Sequence, residues 1–389
     1  MRKFIWLLFI CAAWAFAQPA DSIVMTAYEG LPAVRISNGA LTLTMLVQGS
    51  AFAELVLADD REKMSPLWNI RMAQELMAPA GDQARGVGGH FVCVDGFGQV
   101  SAEERAAGLP AHGEAHREIF EVRSGKDGRV AVVAMTAKLP IVQENFSRTV
   151  RMVDGENVIY VESQLESLLG FDRPVNWGEH ATIGSPFLES GVTVVDLSGS
   201  RSRTRNYDQV KNWDGITERR LVSGSEFTWP AASALNGGTV DMRATPEAPH
   251  YIDHATTLMD PARALEWVTA LNPKRRLILG YIFKRAEYPW LQSWGNYPPT
   301  GKLARGLEFA TQPYDVPRRE VIGAEALFHA PMFRWLPAKS KIQSNFLMFY
   351  ARAPAGFGQV DDVRLENGLI VIEDRRTNQR VTLAASRGL

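Results

Sequence analysis

The chain has 389 residues, a formal net charge of −1 and 46% hydrophobic residues. That balance excludes a disordered chain and a bundle of membrane spans, and with no basic run it gives no reason to expect a nucleic-acid partner. The length allows one large β domain or two medium ones.

Residues 1–17 have the make-up of a secretory leader. Arg2 and Lys3 form a basic start, residues 4–16 an apolar core too short to span a bilayer, and Ala15-Phe16-Ala17 an A-x-A cleavage site that leaves Gln18 first. The expected product is secreted or periplasmic and free of the membrane after cleavage. It retains one cysteine, Cys93, so no disulfide within the chain is possible and an apolar core must carry the fold. His90 and Cys93 lie three apart in an alternating run, which places them on opposite faces of a strand, with Cys93 a buried free thiol.

Period-two patterning dominates the rest. Strand-like runs rich in β-branched residues cover 40–47, 129–138, 146–153, 157–167, 275–284, 319–330, 369–374 and 380–384. Turn chemistry separates them, at Ser37-Asn38-Gly39, 125–128, 153–157 and Glu366-Asn367-Gly368. Residues 86–91, rich in glycine, form a turn leading into a strand. The one short helix expected is 101–108, with Ser101 as N-cap and Gly108 as stop. The richest loop material is at 198–250 and 286–302, and loops on a β scaffold are where binding function usually sits. With no repeat and no linker, the fold class is all-β: residues 18–389 form a single large antiparallel β-sandwich.

The chemistry narrows by elimination. No G-x-S-x-G elbow and no phosphate-cradling loop is present. His112-Gly113-Glu114-Ala115-His116 has histidines at i and i+4, but its glutamate is misplaced for H-E-x-x-H and Gly113 opposes the helix that motif needs. His250, Asp253 and His254 lie in a loop-like setting. Neither set supports a metal, and no cofactor is implied. What remains is acid/base chemistry on three segments: "LPAHGEAHRE" (109–118), "NWGEHATIGSPFL" (176–188) and "GLEFATQPYDVP" (306–317). In the first, Gly113 lets the chain turn closely past a ligand, and Glu114, His116 and Glu118 alternate as a solvated or rim-facing row.

These segments resemble the aldose 1-epimerase, or galactose mutarotase-like, superfamily. "GGHFVCVDGFG…GLPAHGEAHRE" is similar to a run of its hexose-phosphate mutarotase branch, "EHATIGSPF" to the segment of its second histidine, and "GLEFATQPYD" to the strand of its glutamate. His112, His180 and Glu308 follow in the family's order, 68 and 128 residues apart. Where the first motif carries arginine, this chain has His116, with Arg117 one place later. The resemblance implies a large sandwich that interconverts sugar anomers without a cofactor: Glu308 as base on the C1 hydroxyl, His180 as acid on the ring oxygen, His112 as a further donor. It also implies a hydroxyl-binding role for Arg71. Tryptophans expected in loops, Trp177, Trp213, Trp290 and Trp294, suit the apolar face of a pyranose, with Asp214 beside Trp213. The partner is then a small sugar or glycan, and the sequence does not set the oligomeric state. Two other readings stay open, a carbohydrate-binding sandwich without turnover and a polysaccharide lyase or hydrolase.

Overall fold

The computed structural model describes residues 22–77, 88–206, 219–247, 252–298 and 301–389. The leader, Trp213, Asp214 and His250 therefore lie outside the described residues. Among those described, strands form a twelve-stranded and an eight-stranded antiparallel sheet, with smaller sheets at the margins. The middle of the larger sheet runs in space from Phe52–Leu57 through His90–Val94 and Trp177–Gly184 to the short pair Ala304–Gly306 and Glu308–Ala310. It continues with Trp290–Asn296, Ile252–Met259 and Gly199–Thr204.

Alternation decides what each face touches. Val92, Val94, Trp177, Ala181, Ile183, Leu291 and Phe309 point inward and meet Val133, Val150, Val161, Leu279, Tyr281 and Phe346 of the second sheet in one continuous core. The opposite face of the same strands carries a smaller cluster of Phe91, Cys93, Phe97, Ala304 and Ala310, with Trp68 beneath Trp294. The outer face of the eight-stranded sheet is closed by the C-terminal strands Asp362–Glu366, Leu369–Asp374 and Gln379–Ala384, whose Val363, Ile370 and Ile372 pack on Tyr160, Trp267 and Phe349. Each such buried side chain contributes roughly 1.5–3 kcal/mol.

The runs expected from alternation at 40–47, 129–138, 146–153, 157–167, 275–284, 369–374 and 380–384 are strands with ends shifted by a residue or two. The helix is Ala102–Ala106, held by a reciprocal capping box between Ser101 and Glu104, with Gly108 in the left-handed region just beyond. Three expectations need correction. Residues 318–324 form a helix rather than a strand: Pro317 starts it, the segment buries only Val321, and no neighbouring strand pairs with it. Residues 290–296, expected as loop, are a strand between two others, and Trp290 to Ser293 are all buried, so both faces are covered and alternation disappears. The loop-like setting of Asp253 and His254 is likewise a strand, Ile252–Met259.

Candidate active site

Register brings the site together. His180 pairs with Phe91 on one side, and on the other Gly178 and Glu179 pair with Ala310 and Phe309, so the next step sets His180 beside Glu308. Glu308 in turn is opposite Gln292, and His254 is opposite Trp294. Residues paired across an antiparallel ladder share a face. His180, Glu308, Gln292, Trp294 and His254 therefore project from the face that carries Phe91 and Cys93, away from the main core. His112 arrives from a loop that a parallel bridge between Val94 and Gly113 lays along the 90–94 strand.

The geometry is tight. His180 Nε2 lies 3.3 Å from Glu308 Oε1, off the line of a hydrogen bond, and that oxygen has no hydrogen-bond partner among the described residues. The His112 and His180 rings meet edge to face with centroids 5.1 Å apart. Phe91 stacks on His180 at 4.3 Å, Phe97 approaches it at 5.7 Å and Trp294 at 6.5 Å. Gly306 makes room for the acid, because a Cβ there would overlap the Glu308 carboxyl group. Glu308 is 2% and His180 8% exposed, while His112 and Trp294 are half-buried.

Hydrogen bonds set the proton positions. The Gly98 N–H donates to His112 Nδ1 at 3.2 Å, and the Cys93 thiol approaches the same nitrogen at 3.6 Å. A backbone N–H only donates, so Nδ1 accepts and the proton of the neutral ring sits on Nε2. His180 Nδ1 bonds Thr182 Oγ1 at 2.9 Å. Burial shifts every titrating group toward its neutral form. It pushes Glu308 well above the usual carboxylate range and, with the neighbouring His112, pulls His180 well below the usual histidine value. Burial and then Arg117 bring His112 down to about 4. Both shifts favour the neutral pair, a Glu308 carboxylic acid beside a neutral His180 imidazole, so a base role for Glu308 and an acid role for His180 require the Glu308 proton to pass to His180 first.

No protein-family model matches the chain, and no curated protein is similar to it in sequence. Solved structures are. A candidate aldose 1-epimerase from Klebsiella pneumoniae superposes with a TM-score of 0.61 at 14% identity, over 84% of this chain and 80% of that one. A galactose mutarotase-like protein from Clostridium acetobutylicum gives 0.58 at 12%, over 85% and 98%. A galactose mutarotase related enzyme from Lactobacillus acidophilus gives 0.55 at 13%, over 86% and 100%. The chain has the galactose mutarotase-like fold.

Within that mutarotase-like sandwich the remaining candidates separate. Trp294 lies on the site face, its ring 6.5 Å from that of His180. Trp177 does not: it is buried in the main core against Phe146, on the face opposite His180, because it is odd-numbered on the strand that presents its even residues to the site. Trp290 shares the site face but is covered, its Nε1 donating to the Pro331 carbonyl at 2.8 Å. Arg71 sits on the helix Ile70–Met77, exposed and paired with Glu29. The supposed rim row is also corrected. Residues 115–117 form a 3-10 turn, which breaks the alternation and buries His116 and Glu114. Glu114 accepts from the Ile141 and Val142 amides. Gly113 presses its own backbone onto Val94, so it serves loop packing rather than a ligand. His90 and Cys93 do face opposite ways, and Cys93 is buried and free. The site residues missed from sequence are Phe91, Phe97, Gln292 and Gly306. Register parity with His180 and Glu308 is the signal that finds all of these except Phe97.

Proposed function

We propose that this chain is an aldose 1-epimerase-like enzyme that interconverts sugar anomers by acid/base catalysis. The observation that carries it is the single contact of His180 Nε2 with Glu308 Oε1 at 3.3 Å, with the His112 ring 5.1 Å from that of His180. At rest the proton of the pair is on Glu308, and its transfer to His180 as a sugar enters gives the carboxylate and the imidazolium that the reaction uses. In ring opening His180 gives its proton to the ring oxygen and Glu308 takes one from the C1 hydroxyl, so the pair ends with the same count. Rotation about the C1–C2 bond turns the carbonyl, and closure returns both protons by the reverse route. His112 Nε2–H donates to the oxygen whose charge changes. Trp294, half-buried, offers an aromatic face to the apolar side of the ring. The leader-like residues 1–17 support export, which recovery of the chain outside the cytoplasm beginning at Gln18 would test.

The test of activity is the decay of optical rotation in fresh solutions of hexoses, pentoses and uronic acids. Wild type accelerates it for at least one sugar, and Glu308→Gln does not. If no sugar responds to wild type while binding to a glycan survives Glu308→Gln and His180→Ala, the sandwich is a binding protein instead. Release of reducing ends or unsaturated products from a polymer would point to a lyase or hydrolase.

A further inference from the structure

The loop that carries His112 is held from a second direction. Gly98 grips His112 twice: its carbonyl accepts from the His112 backbone N–H at 2.8 Å, and its own N–H donates to Nδ1 at 3.2 Å. Gly98 has φ +84°, and a Cβ there would overlap Asp315, so this turn rests directly on the segment that follows the 308–310 strand. One residue earlier, the Phe97 carbonyl accepts from Gln312 Nε2 at 3.2 Å. Gln312 is fully buried, and the same nitrogen donates to the Tyr314 carbonyl. Two carbonyls can only accept, so the orientation of this amide is fixed.

Gln312 is itself tied down by a directional row. Its backbone carbonyl accepts from Gln292 Nε2 at 3.2 Å, Gln292 Oε1 faces His254 Nε2 at 3.1 Å, and His254 Nδ1 faces Arg205 Nη1 at 3.3 Å. His254 Nδ1 also has Asp315 Oδ1 at 3.3 Å, so the direction is set from the other side: Gln292 gives its Nε2 to a carbonyl, its Oε1 accepts, and His254 carries a proton on Nε2. Every bond from His254 Nε2 to the Phe97 carbonyl thus has one allowed direction.

We infer that Gln312 is a positioning residue for His112: by holding the Phe97 carbonyl it keeps the Gly98 N–H on Nδ1 and the imidazole proton on Nε2. It acts through Gly98. Its effect on turnover rests on the proposed anomerase activity, but its effect on the tautomer does not.

Nitrogen NMR of the imidazoles in the full chain tests this, since protonated and unprotonated ring nitrogens resonate far apart. Wild-type His112 at neutral pH gives one species, protonated at Nε2. Gln312→Met keeps an unbranched side chain of similar size and removes the amide donors. It gives a mixture of both tautomers and, with any sugar the protein turns over, a kcat lowered about tenfold with KM within about twofold. A wild-type spectrum with the proton on Nδ1 overturns the inference even if the variant fails to fold. So does a folded Gln312→Met protein with unchanged tautomer and kcat. Altered tautomers in a protein that turns over no sugar would instead remove the activity and leave the positioning role standing.

Discussion

Two histidine–glutamate pairs sit back to back on the central strands, and they differ in what surrounds the carboxylate. On the core face, Glu179 accepts from Arg148 Nη2 at 2.7 and 2.8 Å, and lies 2.9 Å from His90 Nε2. Trp177 Nε1 and the Tyr288 hydroxyl, each at 3.3 Å, complete the set. On the site face, Glu308 has His180 at 3.3 Å and, among the described residues, no donor on Oε1. Both carboxyls are buried. Burial works against ionisation at Glu179, but Arg148 and His90 outweigh it and hold the carboxyl below its usual range, whereas at Glu308 burial acts alone and raises it. The same two residue types become a structural anchor or a proton-handling pair according to the donors supplied around them.

Substitutions can break that contrast. The largest expected effect is from Arg148→Met, which strands a buried carboxylate: stability by urea unfolding falls by roughly 3–5 kcal/mol. A loss under about 1 kcal/mol would mean that Glu179 does not depend on its arginine. Glu308→Gln should do the reverse, leaving stability unchanged at low pH and raising it near neutral pH, while lowering anomerisation roughly 10²–10⁴-fold. Gly306→Ala drives a methyl group into the Glu308 carboxyl and, by displacing it, costs on the order of 10²-fold in turnover. Equal turnover in the alanine variant would show that the carboxyl has room to move.

The pH dependence of stability sharpens the comparison further. Burial brings His112 to about 4 and His254 to about 3, from an ordinary 6.5. Folded pKa values below the unfolded ones give stability that is present above pH 6.5 and lost as pH falls toward the folded values. The slope is roughly 1.4 kcal/mol per pH unit for each such histidine. Melting curves between pH 7 and 4.5 should show the decline, and His254→Gln should make it shallower. Glu308 has the opposite sign: its raised value gives stability present at low pH and lost as pH rises through the folded pKa, a loss that Glu308→Gln removes. The smallest effect is expected from Trp294→Leu, a rise in KM of a few-fold, from about 1 kcal/mol of aromatic contact.

Much of this was legible beforehand where one face of a strand is wet. The 130–139 and 144–153 strands alternate and were found. The strands that build the site hide themselves. Every residue from Trp177 to Gly184 is buried, because one face meets the second sheet and the other lines the site, so hydrophobicity carries no period. His112, His180 and Glu308 were reached through motif resemblance, and the structure brings them together. Glu179 adjoins His180 in the sequence, and its odd number alone places it on the other face. Trp177 was drawn to the site by its chemistry when parity assigns it to the core. His116 was misplaced because a three-residue turn interrupts the count.

That alternation has a consequence for folding. If the 177–184 strand slipped by one residue so that Glu179 took the place of His180, it would meet Glu308 carboxyl to carboxyl, and Gly178 would stand before Arg148 with no anion to offer it. The misaligned sheet would bury a repulsion and an unpaired guanidinium where the native one buries an ion pair. The residues that equip one face for chemistry and the other for cohesion therefore also act as a registration mark, penalising the nearest wrong alignment of the strand on which both depend.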